Sequence, residues 1–248
     1  MISISDIPTL SPSILLLAEY IFCGIFILAA RRFFGLHGLY IYSAVGVIAA
    51  NLVVLKTTFF PYYDSPLALG TVVFSSLFLC SDMINEYYGK AAAVKGIWVG
   101  FFAYFVLSTF IFLNMGYVSA DGGQAQQAMR HLFLPAPAIF ISSLVAYFLG
   151  QYTDVFLYHV IHKKTGERLL WVRSLVSTFL AMLIDNAVFS LLAWHFFALN
   201  PLSFTEIFWT YIWGVSILRF IISFGNIGMM YLSKFLSRHQ KAHVQSLF

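Results

Sequence analysis

Seven long apolar runs constrain this chain more than anything else in it. They lie at roughly residues 14–30, 38–56, 67–86, 93–114, 135–160, 174–199 and 206–233. About 20 apolar residues in helical form span the roughly 30 Å hydrocarbon core of a bilayer. In lipid the backbone must satisfy its own hydrogen bonds, so only helices and closed barrels cross. A barrel would show alternation in segments of about ten residues, and none is seen. Composition points the same way: 60% of the 248 residues are hydrophobic and 10% charged, against about 25% charged in soluble domains. So little polar surface excludes a soluble enzyme, a disordered chain and a secreted disulfide scaffold. Cys23 and Cys80 both sit in apolar runs, without metal-ligand spacing. The expected fold class is an all-α integral membrane protein.

Basic residues orient the spans. With the N-terminus outside, the inner loops hold Arg31, Arg32, Lys90, Lys95, Lys163, Lys164, Arg168, Arg173, Lys234, Arg238 and Lys241. Only Lys56 and Arg130 fall outside, and Arg219 lies within a span. Such bias marks the cytoplasmic side and predicts seven spans, N-out and C-in. The net charge of +4 then reflects cytoplasmic loops rather than nucleic-acid binding. The first run is followed, not preceded, by basic residues, the reverse of a cleaved signal. The longest linker, about 115–134, has room for a short surface helix before Pro135 and Pro137. Residues 1–37 are expected to hold the first helix, 38–235 a six-helix core, and 236–248 a basic cytoplasmic tail.

Ionisable groups inside the spans are the candidate functional residues, because a lipid-facing charge at midplane costs roughly 2.5–3.5 kcal/mol. Asp82, Asn85 and Glu86 share one helical face, at i, i+3 and i+4. This face has the spacing for coupling or gating, or for a solvated helix end. Gln151 and Asp154 lie three apart, with Tyr147 and Tyr158 on the same side. Asp185, followed by Asn186, sits near midplane in the sixth run. Arg219 belongs to the stripe Ser216, Arg219, Ser223, Asn226 in the seventh. Asp185 and Arg219 are expected to pair, as a structural ion pair or as a gate. Asn51 is a polar residue at mid-depth in the second run. The small-residue pairs Gly46/Ala50 and Ala146/Gly150 suit close helix contact. No serine-hydrolase elbow, HExxH, intramembrane GxGD or phosphate-binding loop is present, and no metal site or cofactor is indicated.

At these residues the chain resembles a known family. Ser81-Asp82-Met83-Ile84-Asn85-Glu86-Tyr87-Tyr88-Gly89-Lys90 is similar to the signature of the queuosine precursor transporter, or vitamin uptake transporter, family. Gly150-Gln151-Tyr152-Thr153-Asp154-Val155, Lys164-Thr165-Gly166 followed by Trp171-Val172-Arg173, and Ser177-Thr178 with Asp185 and Phe189 resemble its later motifs. Asn51 and Lys56 match its earlier helix. The resemblance covers about residues 40–235. It implies an inner-membrane importer of a 7-deazaguanine, such as 7-cyano- or 7-aminomethyl-7-deazaguanine or queuine, feeding tRNA modification.

A deazaguanine is flat and stacks on aromatic faces. Its N1–H and 2-amino group form a donor edge that one carboxylate can accept. By analogy with base readout, each such polar pair is worth roughly 1–3 kcal/mol. The resemblance thus assigns substrate binding to Asp185 or Asp154 for the donor edge, with Gln151, Asn51, Asn186, Tyr147 and Arg219 around them. Coupling or gating falls to Asp82, Asn85 and Glu86. The partners implied are the deazapurine and the bilayer, with a homodimer left open and no ATPase subunit indicated. Alternatives are an importer of another heteroaromatic vitamin or an intramembrane aspartate-dependent enzyme. The driving force is either proton coupling or downhill entry with trapping.

Overall fold

The computed structural model describes residues 10–54, 56–61, 63–120, 123, 126–129, 136–166, 168–198 and 200–245. Its elements are α1 (Pro12–Val53), β1 (Thr57–Phe60), β2 (Tyr63–Ala68), α2 (Thr71–Met115), α3 (Ala136–Thr165), α4 (Leu170–Leu191), α5 (Phe204–Glu206) and α6 (Gly214–Gln245). A π-helical turn, Leu192–Phe196, extends α4. A second, Ile207–Trp213, joins α5 to α6. Among the described residues five stretches are long and apolar enough to cross a membrane: Pro12–Val53, Thr71–Met115, Ile139–Thr165, Leu170–Phe196 and Phe204–Ser237. Phe33, Phe102 and Trp209 are among many large apolar side chains exposed on the outside, as an integral membrane protein requires.

At 42 and 45 residues, α1 and α2 would each exceed about 60 Å if straight, twice the bilayer core. Each is instead folded on itself at a glycine. Gly35 has φ 59° and ψ −134°; Gly89 has φ 83° and ψ 171°. Only glycine adopts such values without strain. In α1 the Ala30 carbonyl presses against Gly38, and Cys23 comes within reach of Tyr42. In α2 Leu77, Ser81 and Ile84 line one small cavity with Ala93, Gly96 and Ile97. A straight helix would hold Leu77 and Gly96 about 28 Å apart.

The arms then pack in a definite order. The second arm of α1 runs antiparallel to the first arm of α2. Ala50 meets Gly70, Gly46 meets Leu77, Tyr42 bonds Ser76 at 2.6 Å, and Ser43 lies 3.4 Å from Cys80. The first arm of α1 runs beside α6. There the Tyr20 hydroxyl abuts Gly225, and Arg31 donates to Ser233 at 2.8 Å and Ser237 at 2.7 Å. The second arm of α2 packs on α3 through Trp98–Phe148 and Tyr104–Phe140. The central cluster joins Ile27, Leu39, Val47, Met83, Ile84 and Tyr158.

Among the described residues the chain is helical apart from one hairpin, in which β1 and β2 pair antiparallel, Thr57 opposite Ala68 and Phe60 opposite Tyr63. Two local expectations need correction. Threonine and aromatic residues favour extended backbone, so the run expected to begin a helix at 67 starts as strand. α2 begins at Thr71, after Gly70 with φ 87°. Arg173, assigned to a loop by its charge, stands in α4 and is completely buried, because a carboxylate awaits it there. The basic tail expected from 236 is helical to Gln245. In the linker, residues 126–129 are helical, while the rest of the proposed surface helix, with Arg130 and Pro135, lies outside the described residues. So do residues 1–9 of the N-terminal segment and the side chains of Arg238 and Lys241.

Candidate functional site

Three helices bring their polar residues to one axis. The first arm of α2 and α3 run parallel, and α4 runs antiparallel to both. Residues spaced three or four apart on each helix therefore meet level by level.

At one end Glu86 is the hub. Arg173 donates to its two oxygens at 2.6 and 2.7 Å, and the Tyr158 hydroxyl at 2.7 Å. Lys234 of α6 reaches it at 2.5 Å. Arg173 also donates to Tyr158 Oη at 3.2 Å and to the Gly166 and Arg168 carbonyls at 2.7 and 3.2 Å, which close the turn between α3 and α4. One buried guanidinium thus ties together α2, α3 and the start of α4. Beside it Asn85 donates to the Val155 carbonyl at 3.1 Å.

One turn deeper lie Asp82 and Asp154, both essentially buried. Ser174 donates to Asp82 Oδ2 at 2.5 Å. The Thr178 hydroxyl stands between the two carboxyls, 3.4 Å from Asp82 Oδ2 and 3.3 Å from Asp154 Oδ1. The remaining oxygens, Asp82 Oδ1 and Asp154 Oδ2, have no hydrogen-bond partner.

The next level is a small cavity of about 10 Å³ lined by Ser43, Leu77, Ser81, Gly96, Tyr147 and Gln151, among others. That is room for about one water. Ser81 Oγ and Gln151 Nε2, both in its wall, are buried without partners. Tyr147 is buried, with its ring edge-on to Phe74 at 6.4 Å. Gly96 and Gly100 are needed here: a Cβ at Gly96 would crowd Ile84 and Tyr40, and one at Gly100 would strike the Tyr147 hydroxyl.

Farther along, Arg219 of α6 donates to Asp185 Oδ2 at 2.6 Å, with the guanidinium carbon 5.4 Å from the Phe74 ring centre. The expected ion pair is present, 12% and 3% exposed at the two side chains. Asp185 presses on α3, where a Cβ at Gly150 would lie 2.8 Å from the Asp185 Cβ. Asn186 donates to the Tyr211 and Ile212 carbonyls at 3.0 Å each, carbonyls that belong to the π-helical turn.

The structure therefore brings Asp82, Glu86, Asn85, Tyr147, Gln151, Asp154, Asp185, Asn186 and Arg219 onto one axis, in successive levels rather than one ring. Asn51 stands apart. It bonds the Val47 carbonyl of its own helix at 2.8 Å, beside Gly70 and about 18 Å of helix from Asp82. Reasoning from sequence missed Arg173 and Lys234, because positive-inside counting treats both as loop charges. The signal for Arg173 was the motif Trp171-Val172-Arg173. Ser174 carried no signal at all. Among the described residues no group of three or more His, Cys, Asp or Glu is placed to hold a metal.

Known proteins resemble this chain in the same region. A family model described as "Putative vitamin uptake transporter" matches residues 68–233. A "Probable queuosine precursor transporter" from Bacillus subtilis (strain 168) is 32% identical over 173 residues, covering 68% of this chain and 73% of that protein. No solved structure matches.

Proposed function

Because the chain belongs to the vitamin uptake transporter family, we propose that it imports a queuosine precursor of the 7-deazaguanine class across a bacterial inner membrane, and is not an enzyme. In this reading each arm of α1 and α2 crosses the bilayer. With α3, α4 and α6 that makes seven spans, N-out and C-in. The shorter arms are about 18 residues, within the roughly 17–25 that a span needs.

One observation carries the substrate reading. Asp154 Oδ2 and Gln151 Nε2, one helical turn apart, are a buried acceptor and a buried donor without partners. An unsatisfied buried polar atom costs about 1–3 kcal/mol, so such a pair is retained for a ligand that completes it. The N1–H and 2-amino edge of a deazaguanine suits Asp154, and its 6-oxo group suits the Gln151 amide. Tyr147 supplies a face for the ring. Asp185 is already neutralised by Arg219, which favours Asp154 for the donor edge and leaves Asp185 to gating. A cavity of one-water size is too small for the ring. The ligand therefore enters only when α3 and α4 move apart from α2, which is the motion alternating access requires.

Expression in a bacterium that neither makes nor imports queuosine precursors tests this. Feeding 7-cyano- or 7-aminomethyl-7-deazaguanine or queuine should restore queuosine in tRNA, and Asp154→Asn and Gln151→Ala should each cut the restoration about 5- to 150-fold, the range that roughly 1–3 kcal/mol for a paired base edge corresponds to. If no precursor restores the modified base while uptake of a heteroaromatic vitamin rises, the substrate class is wrong and the broader vitamin reading stands.

A further inference from the structure

We infer that Asp82 and Asp154 hold a single exchangeable proton between them, and that this proton couples import to the transmembrane proton gradient. The inference rests on the import function proposed above but not on which ring is carried.

Charge balance is the first support. The buried cluster at this end of the axis contains three carboxyls, Glu86, Asp82 and Asp154, and two cations, Arg173 and Lys234. Asp185 is excluded, since Arg219 balances it at the other end. With all groups ionised the cluster carries one uncompensated negative charge, and it falls on two aspartates that are essentially buried. Isolated buried charge is expensive enough that the group neutralises instead, and one bound proton makes this cluster neutral.

Geometry says where the proton sits. Both cations bind Glu86, not the aspartates. Asp82 receives hydroxyls from Ser174 and Thr178 on Oδ2 only, and Asp154 faces Thr178 through Oδ1. Each aspartate keeps one buried oxygen without a donor, and one Thr178 hydroxyl lies within 3.4 Å of both carboxyls. A proton held between them removes the repulsion within the pair. Like charges this close do not both ionise in a dry site.

The surroundings of the pair are Glu86 on α2, Tyr158 on α3, Arg173 on α4 and Lys234 on α6; Arg31 on α1 lies near this end, but its guanidinium is committed to Ser233, Ser237 and the Tyr87 ring. The second arm of α1 faces this level with Ser43 beside Cys80. None of these provides a second cation for the aspartates. Asp154 is also the residue proposed to take the substrate's donor edge. The substrate therefore needs Asp154 ionised, with the shared proton resting on Asp82. Proton and substrate load together from the outside, and both leave on the inside.

Two measurements decide this. Infrared spectra of the purified chain in nanodiscs at neutral pH should contain one protonated-carboxyl band. Asp82→Asn and Asp154→Asn should each abolish it, since either leaves one lone carboxylate. Asp82→Glu should restore it, which excludes misfolding as the cause. In proteoliposomes, an interior one pH unit more alkaline should drive labelled 7-cyano-7-deazaguanine to at most about tenfold accumulation, one decade per 1.4 kcal/mol. A protonophore should abolish the accumulation, while Asp82→Asn exchanges the label at equilibrium without concentrating it. No carboxyl band in the unmodified chain, accumulation untouched by the protonophore, or accumulation driven by a sodium gradient would each overturn the inference. If no deazaguanine exchanges even in the unmodified chain, the substrate reading fails while the infrared result still decides the proton site.

Discussion

Glu86 binds two cations and a hydroxyl, and replacing it tests the account of the buried cluster. In Glu86→Gln the shape is kept and the charge is lost. Arg173, with no exposed side-chain surface, then keeps its charge among uncharged partners. Stranding one member of a buried pair costs about 3–5 kcal/mol, which sets the expected loss of stability. Lys234 is 22% exposed, and its removal leaves Glu86 still held by two Arg173 bonds, so Lys234→Met should cost only about 1 kcal/mol. Arg173→Met should fall near the Glu86 value, since it also frees the Gly166 and Arg168 carbonyls. The double variant Glu86→Gln/Arg173→Met should recover about 1–3 kcal/mol relative to the sum of the singles, as groups in one network do. Reversible unfolding by SDS in mixed micelles, followed by far-UV circular dichroism, supplies the four values. If Glu86→Gln costs no more than Lys234→Met, or the double variant is additive to within about 0.5 kcal/mol, the cluster is not the interdependent unit described.

Other expectations are local. Gly89→Ala places no atom within 4 Å of a neighbour, so its loss, about 1–3 kcal/mol in the same assay, reports backbone strain alone. Gly150→Leu drives a side chain into Asp185 and should cost about 1–3 kcal/mol together with uptake. Gly228→Ala, which meets nothing within 4 Å, should leave both unchanged. In a background lacking Cys23 and Cys80, Phe59→Cys should react with an impermeant maleimide from outside intact cells and Lys163→Cys only after permeabilisation. The opposite pattern would refute the N-out orientation.

Much of the bundle could be read from apolar run length, because the bilayer permits so few backbone solutions. The turns between runs could not. Gly35 and Gly89 reverse the chain in place, where charge patterning suggested loops around Arg31-Arg32 and Lys90. A lone glycine inside an apolar stretch does not announce a positive φ. The Asp82–Asn85–Glu86 face and the Asp185–Arg219 pair were legible because intramembrane charge is rare and helical spacing is regular. That Glu86 meets Arg173 and Lys234 was not, since that depends on how α2, α4 and α6 are registered against one another. Arg173 shows the limit clearly: counted as a loop charge for orientation, it is the most deeply buried cation of the site. Asn51 shows the converse. A polar residue at mid-depth was readable as a site, yet an amide can also be satisfied by the carbonyl one turn back on its own helix.

The levels along the axis also bear on how such a carrier moves. Glu86 with Arg173 and Lys234 lies on one side of the aspartate pair and the Gln151 cavity, and Asp185 with Arg219 on the other. On α4 the two ion groups are twelve residues apart, about 18 Å. Both are closed in this structure, and the cavity described between them has room for about one water, as an occluded carrier would have. Opening either end by shifting α4 separates one buried ion group while the other stays shut. The separated charges meet water as they part, which offsets much of the several kcal/mol that dry separation would require. Opening both ends at once would forfeit both pairs together. On the import function proposed above, that extra cost would let the charges act as two locks that open alternately, and it predicts that neutralising both Asp185 and Arg219 loosens one end only: an Asp185→Asn/Arg219→Gln chain should leak precursor down its gradient through a site whose Glu86 end still closes. If that variant instead transports like the unmodified chain, the Asp185–Arg219 pair holds helices together and gates nothing.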